Sequence, residues 1–251
     1  MVVISGALWE RRTFCRNLCA NCVKSCPNGS IRMNFRTPSE ELWSVRKARV
    51  EVSFLAMVIM GIVFVQNITM LGIWNDVLGW FGSELHLSNY AAIFTISFVV
   101  AMVLPVAALF LAGRLAGFAN HEGALRNFTI FGYAIIPLDM AGHIAHNLFH
   151  LLAEGKSVWY TFLGLFGGGP HGQGIEGAST AILDNATIQA LQFILVFLGA
   201  ALSLYSAWRI AKSNYGGARR SLPTLIPYAL LIVLLTWANL ALFSMPMAMR
   251  M

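Results

Sequence analysis

Residues 90–113, YAAIFTISFVVAMVLPVAALFLAG, run for the thickness of a bilayer without one charged side chain. A helix needs about 20 mostly apolar residues to cross a hydrocarbon core of roughly 30 Å, and this stretch is long enough. Working outward from it, segments of the same kind recur at about 52–74, 128–152, 187–210 and 222–244. The whole composition agrees: of 251 residues, 57% are hydrophobic and 11% charged, against roughly 25% charged in soluble domains. The expected fold is an all-α integral membrane protein. Residues 51–251 form a bundle of five transmembrane helices in contact with lipid, and residues 1–50 form a separate N-terminal arm.

Lysine and arginine in the short flanks set the expected orientation. Arg11, Arg12, Arg16, Lys24, Arg32, Arg36, Arg46, Lys47 and Arg49 precede the first span, whereas the loop from Trp74 to Tyr90 has neither residue type. Arg114 and Arg126 flank the next connection, Lys156 alone the one after, and Arg209, Lys212, Arg219 and Arg220 the fourth. That alternation predicts a cytoplasmic N-terminus and a C-terminus outside. The net charge of +6 is thereby accounted for by topology, which argues against a nucleic-acid partner. Residues 1–50 show no cleavable signal sequence; the apolar start Met1–Leu8 is compatible with the end of a truncated element. Trp74, Trp80, Trp159 and Tyr160 fit an interfacial aromatic belt.

The arm holds all four cysteines, Cys15, Cys19, Cys22 and Cys26, as C-x3-C-x2-C-x3-C followed by Pro27. A cytoplasmic location disfavours disulfides and leaves a metal centre or free thiols. Zinc sites typically use two C-x2–4-C pairs separated by a longer loop. Bacterial ferredoxins use C-x2-C-x2-C-x3-C-P, and Cys19 to Pro27 match its last three ligands and its proline. An iron–sulfur centre therefore stands ahead of zinc and of an unmetallated cluster. Gly29 offers a backbone turn, and Lys24 and Arg16 offset the charge of such a cluster. The spacing leaves open whether Cys26 serves the same cluster as the others.

The stretch Cys19 to Trp43, CANCVKSCPNGSIRMNFRTPSEELW, resembles the last ferredoxin motif and linker of membrane-bound polyferredoxin-like 4Fe–4S proteins. These include accessory proteins of periplasmic nitrate and nitrous-oxide reduction. Glu10 to Cys19, ERRTFCRNLC, is similar to that family's R-x-x-C-R-x-L-C-P element. The likeness covers the arm closely and the helices in outline. Ala20 stands where the family has proline after Cys19, and further cysteines for a second cluster are absent. The resemblance implies one cytoplasmic 4Fe–4S cluster in the bacterial inner (cytoplasmic) membrane. It also implies electron transfer, often beside quinone, with other subunits of a membrane redox complex as partners.

A second pattern lies in the third span, DMAGHIAHNLFHLLAEG. Asp139, His143, His146 and His150 recur at i, i+4, i+7 and i+11 and share one helix face, with Asn147 close by. Ionisable residues within a span are costly and usually line a cavity or site, and Pro137 is expected to kink the helix just before them. At about 1.5 Å per residue, His143 and His150 are about 10.5 Å apart along the axis and cannot share one small metal ion. Asp139 is placed to orient His143. Quinone, haem b or another metal such as copper are the candidate occupants, and an interhelical hydrogen-bond network is the plain structural alternative. The other spans contain no histidine to oppose a haem. His171 in a glycine-rich loop within an outer connection (153–186), together with Gln189 and Gln192, are further polar candidates; His86 and His121 read as surface residues. The methionines from Met245 to Met251 suit Cu(I) chemically and equally suit an ordinary apolar helix end.

The leading expectation is a membrane electron-transfer subunit of a larger oxidoreductase, with Cys15, Cys19, Cys22 and Cys26 as cluster ligands. His143, His146, His150 and Asp139 form its second site. The alternatives are a copper or iron assembly factor for a respiratory complex, and a structural membrane subunit.

Overall fold

The structure, a computed structural model, describes residues 2–6, 31–35, 40–43, 48–165 and 181–245. Cys15, Cys19, Cys22, Cys26, His171 and the methionines after Met245 lie outside the described residues. In the arm, strands β1 (Val2–Gly6) and β2 (Ile31–Phe35) pair antiparallel, with Val2 opposite Phe35 and Gly6 opposite Ile31. A single helical turn, α1 (Glu40–Trp43), follows. From there on the regular elements are helices: α2 (Val50–Ile68), α3 (Ile73–Glu84), α4 (Tyr90–Asn120), α5 (Ala124–Leu165), α6 (Asn185–Tyr215) and α7 (Ala218–Ser244). Among them α2, α4, α5, α6 and α7 are long and apolar enough to cross a membrane. The chain is a five-span membrane protein.

Side-chain contacts fix the helix directions. The Ser53 hydroxyl donates to the Thr129 carbonyl at 2.7 Å, and Asn67 meets His146 at 2.9 Å, so α2 and α5 run parallel. Gly132 makes this approach possible, because a Cβ there would overlap the Ser53 side chain. Against α6 the order reverses: Asn127 pairs with Tyr215, Leu138 with Ser203 and Ala145 with Gln192. Helix α7 again follows α5, since Phe131 stacks on Tyr228 at 3.9 Å and Asn239 lies against Gly142. Neighbouring spans therefore alternate in direction. The starts of α2, α5 and α7 and the ends of α4 and α6 gather at one end of the bundle. That end carries Arg49, Arg114, Arg126, Arg209, Lys212, Arg219 and Arg220, as the charge alternation along the chain requires, and is called the basic end below.

The core between the helices is built from Met57, Met60, Leu109, Phe131, Ile135, Leu138, Tyr228 and Ile232, all fully buried. At the basic end Asn127 ties three helices together. Its amide donates to the Gly113 carbonyl at 2.9 Å, and its oxygen accepts from Asn120 at 2.9 Å and from Tyr215 at 3.1 Å. His121 ends α4 at φ 62°, and His86 follows α3 at φ 51°. Both are exposed turn residues in the left-handed region, in keeping with the surface reading.

Three expectations need correction. The first span ends at Ile68, short of residue 74, where Thr69 bonds back to Val65 and Gln66 and the chain turns. The apolar run continues through Met70 to Trp74, so hydropathy alone could not mark this end. Helix α3 then occupies most of the expected Trp74–Tyr90 loop. At 12 residues it is too short to span about 30 Å. Trp74 is therefore no belt residue: it is 5% exposed and packs edge-on against Phe94 at 5.7 Å. Trp80 and Trp159 are exposed, as a belt position requires. Finally, α5 continues to Leu165 through what reads as loop, because Ala153 to Leu165 contains no proline to stop it.

Candidate functional site

Helix α5 supplies the polar stripe, and Pro137 stands within the helix just before it. Pro137 has no N–H to give to the preceding turn, and the Leu138 amide, buried, donates instead to Ser203 Oγ of α6 at 3.0 Å. Apolar surroundings make an unpaired amide expensive, and a serine on a neighbouring helix is a common remedy within membranes. Close approach is needed for it: a Cβ on Gly199 would overlap Ala141 Cβ and lie 3.0 Å from the Pro137 carbonyl. Helix α6 thus braces α5 beside Pro137, within a helix that runs on from Ala124 to Leu165.

Beyond Pro137, Asp139, His143, His146 and His150 follow one another along the face predicted for them. Asp139 is 3% exposed and His146 6% exposed, while His143 and His150 are half-buried. The expected Asp139–His143 bond is not formed. Asp139 Oδ1 and His143 Nδ1 are both buried and meet no hydrogen-bond partner among the described residues. Residues at i and i+4 are neighbours on a helix, yet rotamers decide whether their polar atoms meet. His146 is the histidine that is oriented, and a residue of the first span orients it. The Asn67 amide gives its N–H to the Val63 carbonyl at 2.8 Å, which leaves Asn67 Oδ1 facing His146 Nδ1 at 2.9 Å. An acceptor there makes Nδ1 a protonated nitrogen, so that in the neutral form of the ring the Nε2 lone pair is the one free to accept.

The outer part of the stripe is continuous. The His146 and His150 rings meet edge-on with centroids 5.0 Å apart, and His150 Nδ1 lies 3.3 Å from Glu154 Oε2. Glu154 is half exposed. Asn147, expected close to the stripe, is exposed and donates to the His143 carbonyl at 2.8 Å. Gln192 donates to the Ala145 carbonyl at 3.0 Å and Gln189 to the Phe243 carbonyl at 3.0 Å, so both join helices.

Residues not singled out from the sequence complete the environment. Asn239 of α7 is fully buried, donates to its own Leu235 carbonyl at 2.9 Å and turns Oδ1 toward Gly142, between Asp139 and His143 in the chain. That oxygen, like Gln66 Oε1 beside Asn67, has no hydrogen-bond partner among the described residues. A carboxamide inside an apolar run is the same kind of signal as a histidine there, and Gln66, Asn67 and Asn239 were legible on that criterion. Each unpaired buried group costs about 1–3 kcal/mol, so the arrangement favours a ligand or water that pairs with it. Among the described residues no three of His, Cys, Asp and Glu converge as metal ligands. The donor set suits hydrogen bonding to a polar ligand better than coordination of haem iron or copper.

A separate concavity of about 610 Å³ opens at the basic end, lined by Trp43, Arg126, Thr129, Tyr133, Ile210 and Asn214, among others. Its wall includes the end of the arm. Trp43 packs edge-on against Tyr205 at 5.2 Å, and the Arg209 guanidinium lies 5.6 Å over the Trp43 ring. These contacts fasten α1 to α6. Comparison of the chain with protein-family models, curated proteins and solved structures gave no match.

Proposed function

We propose that the chain is a membrane electron-transfer subunit of a larger oxidoreductase. Cys15, Cys19, Cys22 and Cys26 hold a 4Fe–4S cluster on the cytoplasmic side of a bacterial inner membrane. The face formed by Asp139, His143, His146 and His150 receives a quinone headgroup. The observation that carries the reading is the cysteine run, whose last three ligands and proline follow ferredoxin spacing. Two features of the fold support it. The arm is fastened by Trp43 to the basic end, which puts the residues that follow the cysteines beside the bundle. The histidine face offers unpaired polar atoms at Asp139 and His143: a ring N–H of His143 can donate to a quinone carbonyl, and His146 Nε2 can accept from a quinol hydroxyl.

When bound, a cluster supplies one-electron transfer, with its potential tuned by backbone N–H groups and by solvent access. The chain's own residues hold the headgroup and provide or take its protons. Asp139 lies about 10.5 Å inward of His146 along α5, and α5 contributes both groups. Anaerobic purification tests the assignment through iron and sulfide content, visible absorbance and EPR. Cys22→Ser is expected to abolish the iron–sulfur signals while leaving the helical bundle intact by circular dichroism. Unchanged spectra in that variant would sink the cluster.

A further inference from the structure

The stripe on α5 does not stop at the histidines. Asp139, His143, His146, His150 and Glu154 form one file of titratable side chains at i, i+4, i+7, i+11 and i+15. It starts at a carboxyl 3% exposed in the bundle interior and ends at a carboxylate half exposed on the surface of the bundle. At about 1.5 Å per residue the file covers about 22 Å along the axis. Its outer links are direct: the 5.0 Å ring contact between His146 and His150, and the 3.3 Å approach of His150 to Glu154. Its inner end holds buried polar atoms without partners among the described residues, Asp139 Oδ1, His143 Nδ1 and Asn239 Oδ1. Two of these are oxygen acceptors, so what completes them is a donor. Water supplies two O–H donors and is the usual bridge between buried polar groups.

We propose that this file is a proton conduit joining the bundle interior at Asp139 to the aqueous phase at Glu154, at the end of the bundle opposite the basic one. Each hop is balanced. A proton leaving the Asp139 carboxyl passes through bridging water to His143, which binds it on one ring nitrogen as imidazolium and releases the proton from the other. His146, its Nδ1–H held by Asn67, binds and releases the proton at Nε2, and His150 hands it to the Glu154 carboxylate. Each ring returns to neutral, and Glu154 passes the proton to bulk water. Asn67 keeps His146 with Nδ1–H inward toward α2, so its Nε2 is the nitrogen that accepts. The helices packed against this part of α5 contribute the amides Asn67, Gln192 and Asn239, which polarise the path without trapping the proton. The conduit stands independently of the redox reading: it requires neither cluster nor quinone.

The test uses the full chain in lipid nanodiscs and follows the Asp139 carboxyl by infrared absorption, its bands identified as those lost in Asp139→Asn. The readout is the rate at which they respond to a step in bath pH or to exchange into D2O. His150→Phe and Glu154→Gln change positions at the wet end, where folding tolerates substitution, and each is expected to slow the response about tenfold or more. Asn147→Ala, on the exposed side of the same helix, is expected to leave it unchanged. A carboxyl that does not respond, or that responds equally fast in the His150 and Glu154 variants, would overturn the conduit, as would equal slowing by Asn147→Ala. Iron–sulfur spectra play no part in this readout, so its failure and that of the cluster assignment are separable.

Discussion

At the scale of single residues, Asn67 and Asn147 are an instructive pair. Both are asparagines near the histidines, but Asn67 is 2% exposed and bonds a side chain 79 positions away, whereas Asn147 is exposed and bonds its own helix. Asn67→Leu leaves His146 Nδ1 buried and unpaired, and is expected to lower stability by about 1–3 kcal/mol; Asn147→Leu should fall within about 0.5 kcal/mol of wild type. Thermal unfolding in detergent, followed by circular dichroism, compares them. Asp184 offers a surface counterpart. It caps α6 by accepting from the Thr187 hydroxyl at 2.6 Å and amide at 3.0 Å. The hydroxyl bond, with smaller help from the amide, holds its carboxyl below the usual carboxylate range. A depressed folded-state pKa stabilises above the unfolded-state value and is lost as pH falls through the folded one. Asp184→Ala should therefore melt earlier at neutral pH, with the difference vanishing in acid below the carboxylate range. The histidine face itself was legible from spacing, because helical periodicity is local. Asn67 and Asn239 stand out as carboxamides in apolar runs, but their meeting with this face was not legible: they come from the first and last spans, and nothing near residue 146 announces them.

At the scale of elements, the join between α5 and α6 combines a backbone-to-serine bond with a close helix contact within a few residues. Ser203→Ala leaves the Leu138 amide unpaired and should cost about 1–3 kcal/mol. In a Pro137→Ala background the α5 backbone can pair internally, so the same substitution should cost less; a double-mutant cycle measures that coupling. Gly199→Ala puts a methyl onto Ala141 and should destabilise. Ala141→Gly should rescue it only in part, because the Pro137 carbonyl remains 3.0 Å from the new Cβ. Thermal melts of the two single variants and the pair decide this. Element ends were the least legible feature. Membrane hydropathy reports where lipid begins, and helix ends are set by backbone pairing. The two part company at Ile68, where apolar sequence continues after the helix stops, and at Leu165, where the helix continues after the apolar run fades.

At the scale of the whole molecule, an odd number of spans predicts that the start of α2 and the end of α7 face opposite sides of the membrane, with the basic end expected on the cytoplasmic side. A fluorescent-protein fusion at the N-terminus is expected to be bright in cells. The same fusion after Met251 is expected to be dark, where an alkaline phosphatase fusion is active. Two bright termini would contradict five crossings. The span number was legible because runs of this length and apolarity have few other uses. The arrangement of the spans came only with the long-range contacts, such as Phe131 on Tyr228 and Ser53 against Gly132. Helix α4 is the least buried of the five spans and turns Val99, Val103, Leu104, Leu111 and Phe118 outward, a surface compatible with lipid.

The bond between Leu138 and Ser203 also bears on how the protein is made. Its partners lie 65 residues apart in the chain, and synthesis at about 5–20 residues per second separates their emergence by about 3–13 s. Throughout that interval α5 carries a backbone amide that hydrocarbon cannot satisfy. Release of α5 alone into the bilayer is disfavoured until α6 arrives with its serine. The two helices are therefore expected to leave the insertion machinery as a hairpin, with the polar stripe already covered on one side.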